Sequence, residues 1–447
     1  VRGYRDYNRS QMIAAVELNQ KLGFITKGLT FMTLFNLTRY ADFSVFRSFQ
    51  PYWYTMDNYD SFTGEYHISR LNENGTDYLT YGEGEKNVVS TMYSENRLHW
   101  AREFGRNSLS GLLVFTVRER LEANAGSLQL SLPSRNAGLA GRFTYGFNGK
   151  YFTEFNFGYN GSERFNENHR WGFFPSFGAA WVASKERFFE PLKKVVSNLK
   201  LRYSYGLVGN DNIGSASNRF YYLSEMNMTD GNRMSYFGEN RGVSSTGISV
   251  IRYANEAITW EKSLKKNYAA ELGLFGKVDV IAEYFTEDRS DIFMTRADIP
   301  NTMGLQSTIA ANIGKATSKG FDIQADYKQS WSKDFWSSAR ANFTYSTSMY
   351  KVYEEPEYKE YWRMHAGYPI GQTRGYIAER LFIDDEDAKN SPSQAAFGSQ
   401  YGGGDIKYTD VNRDGVISEA DRVPIGNPTT PEIIYGFGYS LGYKGID

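Results

Sequence analysis

The chain has 447 residues, with 50 Lys and Arg against 51 Asp and Glu for a formal charge of -1, a balance that offers no broad positive field to nucleic acid phosphates. It contains no Cys, which excludes disulfides, thiolate zinc sites and cysteine nucleophiles. Its 34 Tyr, 31 Phe and 8 Trp favour strands, and no run approaches the roughly 18 apolar residues that a membrane-spanning helix requires.

At the start, Val1, Arg2, Gly3 and Tyr4 form neither the charged nor the apolar region of a secretory signal, so the sequence reads as beginning midway through a longer product. The first 90 residues are strand-like around a candidate long loop from Tyr52 to Lys86. A short polar turn over Gly146 to Lys150 separates two alternating runs. In the second of these, Tyr151, Thr153, Phe155, Phe157 and Tyr159 oppose Phe152, Glu154, Asn156 and Gly158, the period of two that defines a strand with one apolar and one polar face. Leu199, Leu201, Tyr203, Tyr205 and Leu207 likewise oppose Lys200, Arg202, Ser204 and Gly206.

A second long loop is expected over Ser215 to Trp260. Alternation returns at Ala339, Ala341, Phe343 and Tyr345 against Arg340, Asn342, Thr344 and Ser346; a third loop spans Asp384 to Pro431, and Phe437, Tyr439, Leu441 and Tyr443 close the series. Fourteen or fifteen strands of about nine to eleven residues are expected, the length that crosses a bilayer at a tilt. Short turns alternating with long loops fit an all-β transmembrane antiparallel barrel, and a barrel needs only every second strand residue to be apolar. A large soluble sandwich would use the same alternation to bury one face. No repeat of about 20 to 50 residues argues for a propeller or solenoid.

Asp410, Asn412, Asp414 and Asp421, with Gly415 for the turn and the Val416 carbonyl, occupy the positions of a calcium loop, where hard oxygen ligands recur at alternate residues. Asp421 stands where an EF-hand has Glu and reaches less far, which lowers the expected affinity. The alternative is an Asx-rich turn that satisfies its own backbone. If calcium binds, its role is to stiffen a long loop. His67, His99, His169 and His365 are scattered without ligand spacing, and no nucleophile elbow, zinc helix or phosphate loop occurs, so catalysis has no handle and the chain is expected not to be an enzyme. Gly402, Gly403 and Gly404 read as flexible loop. In the loops, Trp53 and Tyr54, Tyr221 and Tyr222, and Trp362 are candidate substrate contacts, set against packing or an interfacial belt. Lys200, Arg202, Glu154 and Arg142 are expected to line a wet interior.

Several blocks are more particular. Arg135 to Arg142, Tyr151 to Ser162, Arg170-Trp171-Gly172-Phe173-Phe174-Pro175-Ser176, Leu201 to Asp211, Trp260-Glu261-Lys262-Ser263, Asn312-Ile313-Gly314-Lys315, Lys319-Gly320-Phe321 and Gly367 to Gly375 follow one another in order. The most specific are Gly404-Asp405-Ile406-Lys407-Tyr408 through Gly426 and Pro431-Glu432-Ile433-Ile434-Tyr435-Gly436. From about residue 90 onward, these resemble the SusC/RagA family of TonB-dependent outer-membrane transporters.

The resemblance implies a barrel of about 22 strands in the bacterial outer membrane, of which residues 1–447 would be one part. The plug and the final strands lie elsewhere. It also implies TonB coupling, a SusD-like surface lipoprotein as lid, outer-membrane lipid around the wall, a dimer of transporter–lipoprotein pairs, and uptake of oligosaccharides or peptides. Two alternatives stay open: a lidless TonB-dependent receptor for siderophores or cobalamin, and a soluble glycan-binding β-protein.

Overall fold

A computed structural model describes residues 3–215, 218–398 and 400–446. Thirteen strands carry the architecture: β1 (Gly3–Lys21), β2 (Leu29–Ser48), β3 (Thr80–Phe104), β4 (Asn107–Glu122), β5 (Ser134–Phe147), β6 (Tyr151–Ser162) and β7 (Trp171–Val182). They continue with β8 (Val196–Asn210), β9 (Glu261–Leu274), β10 (Val278–Thr295), β11 (Ala310–Ser330), β12 (Phe335–Val352) and β13 (Ile433–Tyr443). Each lies next to its sequence neighbours, the order in which successive antiparallel strands most often pair. The expected antiparallel wall is thus found, with thirteen long strands; eight shorter ones form two-stranded pairs inside the loops.

The chain forms two compact units. One comprises Val1–Leu98, Val114–Leu139 and Gly214–Arg219, the other His99–Leu113, Ala140–Ile213 and Phe220–Asp447. In the first, β1 and β2 pair without a register break from Gly3↔Ser48 to Lys21↔Thr30. This puts Ala14 opposite Leu37 and Val16 opposite Phe35 on one apolar face.

Turn chemistry sets the connections in the second unit. Asn148 and Gly149 both take positive φ, 54° and 61°, and Lys150 N donates to the Phe147 carbonyl at 2.9 Å. That is a type I′ turn, whose twist matches its strands, and it confirms the predicted turn. Phe275 and Gly276 repeat it at 55° and 64°. Because successive strands alternate in direction, the connections 148–150, 183–195, 275–277 and 331–334 share one rim, and the connections leaving β6, β8, β10 and β12 start from the other. The loop rim carries the hairpin Glu225–Phe237 with Val243–Arg252 and two nested strand pairs, Gln372–Gly375 with Val423–Pro428 and, between them in sequence, Ala378–Leu381 with Ile406–Tyr408. The third predicted loop begins at residue 353, earlier than the sequence suggested, because β12 ends at Val352.

Register aligns the outward residues into rows. One row runs Tyr203, Tyr268, Tyr284, Phe321, Tyr345 across β8 to β12; the next runs Leu201, Ala270, Ala282, Ile323, Phe343 and reaches Tyr435 of β13. Below them lie Leu199, Leu272, Val280, Ala325, Ala341 and Phe437, then Leu274, Val278, Tyr327, Ala339 and Tyr439. From Ala339 to Tyr345 this band covers roughly 20 Å along the strand. It is uncovered by protein: Tyr268 is 49% exposed and Tyr435 and Phe437 are each 77% exposed. An apolar face this continuous does not stand in water, and it matches the lipid-facing band of a membrane strand. The soluble sandwich, which would bury that face, is not what forms.

All but β13, which has 11, are longer than the nine to eleven residues expected, running from 12 in β6 and β7 to 25 in β3. The physical reason is that they continue beyond the apolar band toward the loop rim, where the outward residues become Lys266, Thr286, Lys319 and Thr347. The packed core sits at the same rim, where Phe165, Phe174, Ile213, Ile258 and Trp260 form one buried cluster.

Candidate functional site

The inward face of the wall is polar and paired. Strand alternation sends Lys200 and Arg202 of β8, Asn267 and Glu271 of β9 and Glu283 of β10 to the side opposite the apolar rows. Lys200 Nζ lies 3.2 Å from Glu271 Oε1, Arg202 Nε 2.7 Å from the same oxygen, and Arg202 Nη2 2.7 Å from Glu283 Oε1. Asn267 Nδ2 donates to Glu283 at 2.9 Å. Farther along, Arg142 Nε donates to Asn156 at 2.9 Å and Asn156 donates to Glu154 at 2.7 Å. The four interior-lining residues read from the sequence therefore do share one face. Their carboxylate partners Glu271 and Glu283 were missed, though period-two counting from Tyr268 and Tyr284 would have placed both inward.

Phe152, Glu154, Ala180, Arg202, Ser204 and Asn267 line a cleft of about 490 Å³. Aromatic rings interrupt the polar surface, Phe152 and Phe285 among them. Phe152 borders this cleft, and Phe285 packs over Gly320, where an added Cβ would fall 2.6 Å from the ring and 2.2 Å from the Tyr345 carbonyl oxygen. The glycine lets strand and ring approach closely.

In the calcium-type loop, the Asp410 carboxylate accepts backbone N–H bonds from Arg413, Asp414 and Gly415 at 2.7, 3.2 and 2.8 Å. Asp414 accepts from Val416 at 2.9 Å and from the Asn412 amide at 2.9 Å. Hydrogen bonding from the Asn412 side chain, then from the Val416 backbone, holds the Asp414 carboxyl below its ordinary value. Asp421 is fully buried and accepts from Val411, Asn412 and Ser418. Gly415 has φ of 84°, the turn that position six requires. A bridge from Ser393 engages Gly415 and Ile417, leaving the Val416 carbonyl outside that ladder. The donor set, three carboxylates, one amide and one main-chain carbonyl, has the hard-oxygen chemistry that calcium takes. Among the described residues, no three or more His, Cys, Asp or Glu side chains stand grouped as a metal cluster, because here the carboxylates are turned to backbone donors.

The candidate aromatic contacts fall into separate environments. Trp53 and Tyr54 belong to the first unit and are 62% and 55% exposed. In the second unit, Tyr221 sets its ring edge-on to Phe293 at 4.6 Å under the Arg252 guanidinium at 5.3 Å. Tyr222 is half-buried beside Phe220 at 6.0 Å, and burial pushes its hydroxyl pKa up. Trp362 Nε1 donates to the Ala420 carbonyl at 2.9 Å, bracing the 410–421 loop. Arg374 binds the Trp362 and Met364 carbonyls, a clamp with no signature in sequence. His365 Nδ1 lies 2.8 Å from Glu355 and the ring stacks on Tyr353 at 4.7 Å. Gly403 N donates to Asp385 at 2.9 Å, so the glycine run is loop, as expected.

Comparison with known proteins bears on these surfaces together. The family model described as TonB dependent receptor-like, beta-barrel, matches residues 2–431, so the likeness includes the first 90 residues as well. The chain is similar to TonB-dependent receptor P3 of Formosa agariphila, 26% identical over 81% of this chain and 38% of that protein. It is similar to TonB-dependent receptor SusC of Bacteroides thetaiotaomicron, 25% identical over 69% of this chain and 30% of that protein. Among solved structures, it resembles the RagAB peptide transporter with a TM-score of 0.67 and 19% identity, over 99% of this chain and 47% of that one. The RagAB importer in its open-open state aligns with a TM-score of 0.68 at 18% identity, over 99% and 46%. The chain thus spans less than half the length of the relatives it matches.

Proposed function

The chain belongs to the TonB-dependent receptor-like β-barrel family of the outer membrane, and on that premise we propose that it forms most of the wall of a SusC-type importer. In this reading, a SusD-like surface lipoprotein delivers an oligosaccharide or peptide to the loop rim, and TonB, acting through segments outside this chain, opens the way inward. The observation that carries it is the two-faced wall: apolar aromatic rows outward, and inward the Lys200–Glu271–Arg202–Glu283 network.

The chemistry of that network suits passage. Each charge already has a partner, so no isolated charge traps a solute, while amide, hydroxyl and carboxylate groups offer a passing sugar or peptide replacement hydrogen bonds for its lost water. Nothing on the inward face is asked to break a bond. The work comes from the inner membrane, so the wall itself is not an enzyme. SusC supports the lidded arrangement by kinship, and a peptide substrate gains weight from the RagAB likeness. Calcium at Asp410, Asn412, Asp414, Val416 and Asp421 belongs to the same proposal as a stiffener of the loop that Trp362 braces; when bound, it would replace backbone donors on those oxygens with one divalent charge.

The test is purification of the full-length protein from detergent-solubilised outer membrane. A stoichiometric surface lipoprotein, in one or two copies per particle, supports the lidded importer. A barrel emerging alone favours the lidless receptor, and recovery in the water-soluble fraction would sink both.

A further inference from the structure

Directly toward the loop rim from the aromatic row Tyr203, Tyr268, Tyr284, Phe321, Tyr345, the outward face changes character in a single step. The next row reads Tyr205, Lys266, Thr286, Lys319, Thr347. The one after it reads Leu207, Leu264, Asp288, Thr317, Met349. Asp288 is already engaged there, with Lys351 Nζ at 3.2 Å and the Thr317 hydroxyl at 3.1 Å, and Lys262 is neutralised by Asp291 at 3.0 Å. Lys266, Lys319 and Lys351 thus face one carboxylate, a surplus of two positive charges. Neither Lys266 nor Lys319 has an ion-pair partner among the described residues.

We propose that Lys266, Thr286 and Lys319 form a binding site for a phosphate group on the headgroup of an outer-leaflet glycolipid. The proposal rests on reading the aromatic rows as lipid-facing. β9 and β11 flank β10, so the two lysine Cα atoms stand about 10 Å apart. Their flexible stems can bring both ammonium groups onto one phosphate seated over the Thr286 hydroxyl, which supplies a third donor.

Position selects a lipid over a soluble anion. Aromatic rows mark the level at which acyl chains give way to headgroups, and the apolar rows of Leu201, Ala270, Ala282 and Ile323 continue below the site, where the lipid's chains would lie. Long loops mark that rim as external, so the leaflet concerned is the outer one, whose glycolipids carry several acyl chains beneath a phosphorylated sugar. Attraction to an anionic membrane surface adds to each lysine contact.

The experiment is native mass spectrometry of the full-length protein with three probes: diphosphorylated lipid A, the same lipid A after phosphatase treatment, and inorganic phosphate. Wild type is compared with Lys266→Gln/Lys319→Gln and with a charge-matched control on the inward face, Lys265→Gln/Lys328→Gln. The expected result is retention of phosphorylated lipid A by wild type and control, with roughly thirtyfold weaker retention by the outward double variant. If that variant fails to assemble, Lys319→Gln is read against Lys319→Arg, which keeps the charge and is expected to retain the lipid. Equal retention by the outward variants, equal retention of dephosphorylated lipid, or displacement by inorganic phosphate at millimolar concentration overturns the site. Residence in the outer membrane is unaffected by any of these, so the failure of the site and the failure of the wall reading remain distinguishable.

Discussion

Ile323 and Gln324 are adjacent on β11 and point to opposite faces, which makes them a matched pair for asking which side meets lipid. Ile323 is 41% exposed, in the row with Leu201, Ala282 and Phe343, one row below the aromatic ring level and with two apolar rows beneath it. An arginine there must snorkel past Phe321 or stand in hydrocarbon. An arginine on the lipid face costs about 2–4 kcal/mol at the midplane and little near the interface, so about 2–3 kcal/mol is expected at this depth, a fall of roughly 30- to 150-fold in the folded-to-unfolded ratio. Gln324→Arg gives up one hydrogen bond, Gln324 to Asp326 at 2.7 Å, and sets a cation beside that carboxylate on the wet face. A change within about 0.5 kcal/mol follows. Urea titration of the protein folded into lipid vesicles, read by heat-modifiable gel migration, compares the midpoints of Ile323→Arg and Gln324→Arg. Equal midpoints, or a larger loss for Gln324→Arg, would refute the assignment of faces.

Other consequences can be measured in the same preparations. Trp260→Ala removes the ring that packs on Phe165 at 5.2 Å and Phe174 at 5.3 Å, and a local loss of about 3–5 kcal/mol is expected; hydrogen exchange should speed up together in 163–170, 211–215 and 253–260, and faster exchange confined to residue 260 would contradict the shared cluster. Arg202→Gln frees Glu271 and Glu283, but all three groups are partly solvated, so stability should move by less than about 1 kcal/mol while the cation preference of the pore rises; a large fall in stability would show the network to be a strut. Asp387 is held well below the ordinary carboxylate range first by the Arg380 hydrogen bond, at Nη2 2.9 Å, and then by the Ile383 N–H. A carboxyl so depressed stabilises the folded loop above about pH 4 and loses that contribution progressively as the pH falls below it, so pepsin nicking between residues 378 and 408 should rise toward pH 2, with Asp387→Asn nicked more readily than wild type at pH 5; identical behaviour of the two at both pH values would count against the pair. Added calcium should raise the melting temperature of the wild type and leave Asp410→Ala/Asp414→Ala unchanged; an equal rise in both would locate the metal elsewhere.

The wall was legible because a membrane strand writes its environment at every second residue. Leu199 to Leu207 and Ala339 to Ser346 alternate in sequence and fall on opposite faces in the structure, and Asn148-Gly149 marks its turn by the φ it needs. Strand length was less legible, because nothing in the alternation changes where β8 to β12 leave the bilayer; only the exchange of apolar for Lys and Thr on the outward face marks it. The loop aromatics were least legible. Trp53 remains exposed, whereas Tyr221 and Trp362 are committed to Phe293 and to the Ala420 carbonyl, and an aromatic in a loop has the same sequence signature whether it packs or waits for ligand. The Asp410 to Asp421 spacing was readable as a folded turn, since Asp410, Asn412 and Asp414 take backbone donors two to five residues on while Asp421 reaches back to Val411, Asn412 and Ser418, and that same local geometry leaves metal occupancy to experiment.

The most direct test of the central claim, that this chain is a membrane-spanning wall, uses the lack of cysteine in residues 1–447, with any cysteine elsewhere in the full-length protein replaced by serine. Single cysteines placed in turn at positions 199 to 207 of the full-length protein in lipid vesicles are spin-labelled and probed with oxygen, which concentrates in lipid, and with a nickel chelate, which stays in water. The account predicts a period of two, with oxygen favoured at 199, 201 and 203 and the chelate at 200, 202 and 204, and with the odd positions turning toward the chelate by 207. Uniform chelate access, or alternation of the opposite sense, would contradict it.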